Sequence, residues 1–192
     1  MRLPFGFLLP RRPKPARPPA PRPAPYLPAG RTSEVHGFGS NPGGLRCFLH
    51  LPLRRPAPGA PLIVVLHGCR QDAAGFAADA GWIALADRLG LPLLLPEQSF
   101  TNHRLRCFSW YKPGDVGRGE GEAASIRQMV GFAARHLGSD RRRIFVAGLS
   151  AGGAMAAALL AAYPAVFAAG AVVAGLPVGT AGSGIELRLD FC

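Results

Sequence analysis

From residue 45 onward, short runs of consecutive apolar residues alternate with longer stretches in which apolar positions recur every three or four residues. Leu45–Leu51 reads as a strand, followed by a loop over Pro52–Pro61. Leu62-Ile63-Val64-Val65-Leu66 is a continuous β-branched and leucine run, as expected of a central parallel strand buried on both faces. Asp72 is placed to cap a helix, and Phe76, Ala80, Ile83, Ala84 and Ala86 predict one helix from there to about Leu89, stopped by Gly90. Leu91–Leu95 is the next strand, with Pro92 tolerable only near its start. Glu97–Gly121 reads as one long irregular segment, of the kind that is usually functional or mobile. Ile126, Met129, Val130, Ala133 and Leu137 then predict a helix from about Glu120 to Leu137, ended by Gly138. Strand Arg143–Ala147, helix Ala151–Tyr163 and strand Ala168–Ala174 complete the pattern.

Strands that alternate with helices indicate an α/β fold, a parallel sheet with helices on both faces. Ligands of such sheets bind beyond the carboxyl ends of the strands. His67, Glu97 and Ser150 each fall just after a strand, so they are expected to share one edge.

Composition changes this picture at the start of the chain. The 192 residues carry a net charge of +11, which would ordinarily raise nucleic acid or membrane surfaces as partners. Residues 1–31, however, hold seven Arg/Lys and no acid, leaving 11 − 7 = +4 for the rest. No nucleic-acid partner is therefore expected of the body. The same arm holds ten of the twenty prolines, and reads as extended polyproline II or disordered chain, a linker more than a P-x-x-P ligand or anion-binding arm. Met1–Pro10 has only the outline of a secretory leader, since Pro4 and Gly6 break its apolar run and no small-residue cleavage site follows. No segment is long and apolar enough to span a bilayer. Cys47, Cys69, Cys107 and Cys192 lack metal-ligand spacing, and spacing leaves free thiols and a disulfide equally open.

The candidate chemistry lies in Gly148-Leu149-Ser150-Ala151-Gly152. This G-x-S-x-G sits between an apolar strand and an Ala-rich helix, the context of a nucleophile elbow. Ser150 is the candidate nucleophile. One oxyanion donor is expected from the backbone N–H after it, that of Ala151, and the other from an earlier strand-to-helix loop. His67-Gly68-Cys69 ends such a strand, which makes the Cys69 N–H the second candidate.

Further motifs follow in order: Leu66-His67-Gly68-Cys69-Arg70-Gln71-Asp72, Pro96-Glu97-Gln98-Ser99, Cys107-Phe108-Ser109-Trp110-Tyr111, Arg118-Gly119-Glu120 and Ala147 through Met155. Together they resemble the PHB depolymerase family of secreted esterases, α/β-hydrolases whose relatives include feruloyl and acetylxylan esterases. The resemblance covers about residues 34–181. It leaves residues 1–33 as the proline- and arginine-rich arm and 182–192 as an atypical end. It implies a serine esterase acting on a polyhydroxyalkanoate or plant cell-wall ester, with no cofactor and an extracellular location. Ser150 matches the family's nucleophile, and Cys69 and Ala151 its oxyanion donors. Cys107 matches the cysteine of the family's Cys-x-x-Trp segment, which implies a Cys69–Cys107 disulfide. Trp110 is then a candidate substrate-binding residue.

The departures from the family pattern concern the base. The expected triad order is Ser, then Asp or Glu, then His. All five histidines (His36, His50, His67, His103, His136) precede Ser150, and the acids after it are Glu186 and Asp190. The chain is therefore expected to hold the N-terminal part of such a domain, truncated after the strand that follows the nucleophile helix. Impaired turnover is the corresponding expectation. The alternative is a non-catalytic polymer- or ligand-binding remnant.

Overall fold

The structure is a computed structural model and describes residues 27–180. The proline-rich arm before residue 27, the leader-like start and the end segment with Glu186, Asp190 and Cys192 lie outside the described residues.

A six-stranded sheet runs through the protein in the order β1-β2-β4-β3-β5-β6. The strands are β1 (Arg31–Glu34), β2 (Arg46–Leu51), β3 (Leu62–Leu66), β4 (Leu93–Glu97), β5 (Ile144–Leu149) and β6 (Ala169–Val173). The four strands β4, β3, β5 and β6 are mutually parallel, whereas β1 and β2 pair antiparallel at one end. The parallel sheet expected from alternation is thus a mixed one. Strand β1 was not expected at all: its first three residues belong to the stretch read as the arm.

Side chains on adjacent strand positions point to opposite faces. Val64 and Leu94 enter the larger core, under α4 (Gly121–Leu137) and α5 (Ala151–Ala162). Val65, Leu93 and Leu95 enter the smaller core, under α1 (Ala73–Asp79) and α2 (Trp82–Leu89). Helices therefore cover both faces, and the fully apolar β3 run is explained by burial on both sides.

Two boundaries differ from the sequence reading. The helix expected over 72–89 is two helices, because Gly81 takes a left-handed backbone (φ 78°) that ends the first and starts the second. Asp72 caps α1 as expected, its carboxylate accepting from the Gly75 N–H at 2.7 Å. The strand expected at 91–95 lies at 93–97 and includes Pro96. The β3 ladder stops at Leu94, so Pro96 falls where β4 is paired on one side, with Cys47 of β2 opposite. The segment 97–121 also holds a short helix, α3 (Pro113–Val116).

Among the described residues Cys47 carries a free thiol, 1% exposed within the larger core. Burial pushes this thiol up to about 12. Native protein at about pH 8 should leave Cys47 unmodified by iodoacetamide while denatured protein is alkylated there. Equal alkylation in both states, read by peptide mass mapping, would contradict this packing.

Candidate active site

Strand β5 ends in the candidate elbow. Ser150 has φ 55° and ψ −120°, a conformation that a residue with a side chain adopts at a cost of about 1–3 kcal/mol. The surroundings hold it there. The Ser150 N–H donates to Val173 O at 2.8 Å, which fastens the turn to the end of β6. A Cβ at Gly148 would collide with the Gly152 carbonyl, and one at Gly152 with the carbonyl oxygens of Leu66 and His67. Glycine at both positions lets the start of α5 lie against the end of β3. Ala151 is the first residue of α5, so its N–H belongs to the helix's first turn, whose amides point away from the helix body. Among the described residues none hydrogen-bonds the Ser150 hydroxyl.

The second candidate element, the loop after β3, meets the elbow directly. Leu66 pairs in register with Gly148, and a Cβ on Gly68 would stand 3.7 Å from that of Ser150. Several bonds fix this loop. Cys69 and Cys107 form the disulfide, and the Arg70 N–H donates to Leu105 O at 2.6 Å. The Gly68 N–H donates to Gln71 Oε1 at 2.8 Å. Glu97, 3% exposed, accepts from the Ala73 N–H at 2.9 Å and from Arg46 at 2.7 Å, so it anchors the start of α1.

His67 is fully buried, and both ring nitrogens are engaged. Nδ1 lies 2.7 Å from Gly68 O, while Nε2 accepts from the Gln98 N–H at 3.1 Å. Desolvation holds the ring below its usual pKa, so it is neutral, with the proton on Nδ1. His103 accepts through Nδ1 from the Leu105 and Cys107 N–H groups, and burial likewise lowers its pKa. His50 lies between Thr32 and Asp87, and His136 stacks on Phe132 and bonds its carbonyl. His36 is exposed beside β1.

Sequence reasoning missed the group that supports this edge. Glu122, 2% exposed in the first turn of α4, accepts from Gln98 Nε2 at 2.6 Å and from the Ser109 N–H at 2.8 Å. Gln98 Nε2 also donates to Cys107 O at 3.1 Å, and Gln98 Oε1 accepts from Ser99 and Asn102. The signal was available: Glu122 lies on the helical stripe of Ile126, Met129 and Ala133, an acid on an inward face. Trp110 is half-buried, edge-on to Tyr111 and packed against the larger core. The structure thus brings Ser150, Ala151 and the Cys69 loop together, while the contacts of Trp110 are with its neighbours and the core.

A strained serine turn between a parallel strand and its helix, set against the loop of the neighbouring strand, defines an α/β-hydrolase-type esterase fold. Residues 45–190 match the model of the esterase PHB depolymerase family, and the chain belongs to that family. A poly(3-hydroxyalkanoate) depolymerase C from Paucimonas lemoignei is 46% identical over 145 residues, which cover 76% of this chain and 34% of that protein. A feruloyl esterase B from Talaromyces funiculosus is 30% identical over 154 residues, 80% of this chain and 42% of the relative. The solved acetyl xylan esterase from Aspergillus awamori aligns with a TM-score of 0.73 at 26% identity, covering 78% of this chain and 54% of that one. The chain therefore spans less than half the length of these two curated relatives.

Two outcomes are expected. Peptide mapping without reductant should recover Cys69 and Cys107 as one cross-linked pair, and two alkylated peptides would contradict the bridge. Glu122→Ala should cost about 2–4 kcal/mol in urea unfolding, since it strands two buried donors. Burial raises the Glu122 pKa above its usual value, so the folded state holds this proton more tightly than the unfolded one. Its stabilising contribution is then greatest at low pH and declines as pH rises through the raised value. The stability gap between native protein and variant should narrow from about pH 4 towards neutrality, and a widening gap would contradict the assignment.

Proposed function

We propose that this chain carries the nucleophile side of a serine esterase that hydrolyses carboxylic esters of the polyhydroxyalkanoate or plant cell-wall type. The observation that carries this reading is the strained Ser150 elbow packed against the Gly68–Cys69 loop in a member of this family. In the proposed reaction a base takes the Ser150 hydroxyl proton and Oγ attacks the ester carbonyl carbon. The negative charge that forms on the carbonyl oxygen is met by the N–H groups of Ala151 and Cys69. The alcohol then departs with a proton, leaving an acyl-enzyme on Ser150, and water hydrolyses it. Trp110 is proposed to border the acyl or polymer site through its exposed part.

The proposal includes a deficit. His50 and His67 have both ring nitrogens engaged, His103 and His136 have one each, and His36 is exposed just past β1; none of the five hydrogen-bonds Ser150 among the described residues. No histidine follows Ser150, and the acids that do, Glu186 and Asp190, lie outside the described residues. Without its base, such a site loses on the order of 10⁶ in turnover. The Cys69–Cys107 disulfide supports an oxidising, extracellular setting. No helix among the described residues is long and apolar enough to cross a membrane.

A fluorophosphonate probe should label Ser150 slowly, and Ser150→Ala should abolish labelling. Hydrolysis of a p-nitrophenyl ester by the 192-residue chain should stay close to background. Robust turnover lost on Ser150→Ala would overturn the deficit but keep the nucleophile. Polymer binding without any labelling would instead support a non-catalytic remnant.

A further inference from the structure

The sheet end opposite Ser150 carries chemistry that ester hydrolysis does not use. Strands β3, β4 and β5 begin there and the antiparallel β2 ends there, so three connecting loops converge. Between them lies a cavity of about 390 Å³ lined by Arg54, Arg55, Arg88, Arg143 and Leu89, among others. Arg141 and Arg142 stand exposed in the turn before Arg143.

The nearby carboxylates are occupied. Asp140 pairs with Arg143 at 3.2 Å and accepts from the Arg142 N–H. Asp87 Oδ1 accepts from the Leu53 N–H at 2.9 Å and lies 3.2 Å from His50 Nε2. Arg54, Arg55 and Arg88 form no ion pair among the described residues. Like charges gathered in one concavity repel, and an anion brought among them relieves that repulsion.

Two leucines distinguish the kinds of anion. Leu53, beside Arg54, is 69% exposed, and Leu89, beside Arg88, is 56% exposed. The Asp87 bond to the Leu53 amide fixes the loop that carries Leu53. A free phosphate or a nucleic-acid backbone offers no hydrocarbon for them. An anionic bilayer offers headgroups for the guanidinium groups and acyl chains for the leucines.

We propose that this sheet end is a peripheral docking surface for an anionic phospholipid membrane, leaving the Ser150 edge turned towards solution. The proposal is independent of the esterase reading, because no residue of the candidate active site takes part.

The test is co-sedimentation of the full chain with vesicles of phosphatidylglycerol and phosphatidylcholine in equal parts, against phosphatidylcholine alone. Binding is expected to the mixed vesicles only, and to weaken as salt rises from about 0.1 M to about 1 M and the screening length falls from about 10 to about 3 Å. Each surface arginine contributes roughly five-fold to partitioning, so Arg54→Gln/Arg55→Gln/Arg88→Gln should weaken binding on the order of 100-fold. Leu53→Ser/Leu89→Ser should weaken it several-fold at unchanged charge. Both variants keep the arginine-rich arm, so unchanged binding by the arginine variant would assign the effect to the arm and overturn the proposal. Loss with the arginine variant but not the leucine variant, together with competition by a DNA oligonucleotide, would replace the lipid with a plain polyanion. No binding to either vesicle would also overturn it. Circular dichroism melts matching the native protein would establish that both variants are folded.

Discussion

The close approach of two backbones at Gly148 and Gly152 is the constraint on which the rest of this edge depends. The end of β5 and the start of α5 can touch each other and the end of β3 because neither glycine carries a Cβ. That contact pulls the chain through a turn tight enough to force Ser150 to φ 55°. The β6 terminus completes the arrangement by accepting the Ser150 N–H through Val173 O. The strain is therefore local, while what sustains it comes from three strands and a helix. Any residue larger than glycine at either position pushes α5 off the sheet, and the turn that lifts the serine relaxes with it.

The facing loop is held by a different kind of force. It has few apolar residues to bury, so hydrogen bonds and one covalent bridge fix it. The disulfide joins Cys69 to the segment 97–121, and Gln98 joins that segment back to His67 through its N–H and to Cys107 through its side chain. Glu122 closes the circuit from α4. A buried carboxylate is costly unless its oxygens are satisfied, and here each accepts one donor. The long segment is thus clamped at its base, and His67 serves as a strut whose nitrogens are already committed. This is the physical ground for separating His67 from any role as the base for Ser150.

Much of this was legible in the chain. The apolar run 62–66, the spacing of Ile126, Met129, Val130 and Ala133, and the Ala-rich stretch after Ser150 each gave an element close to the one found. The failures have separate causes. Gly81 interrupts an otherwise continuous apolar face, and periodicity does not register a single left-handed residue. The strand expected at Leu91–Leu95 stops short of Pro96, yet β4 extends through it because its ladder to β3 has already ended. The antiparallel pairing of β2 depends on which neighbour a strand finds, and alternation alone carries no such information. Glu122 and Gln98 act through long-range bonds, so their role emerged only once α4 and the segment 97–121 were seen against each other.

The central proposal is that Ser150 is the nucleophile and that the Ala151 and Cys69 amides meet the oxyanion. The most direct measurement is a crystal structure of the chain after reaction with an alkyl phosphonate. The account predicts a covalent bond to Ser150 Oγ, with the phosphoryl oxygen about 2.7–3.1 Å from both amide nitrogens. A phosphonate attached elsewhere, or one on Ser150 whose oxygen points away from these two amides, would contradict it.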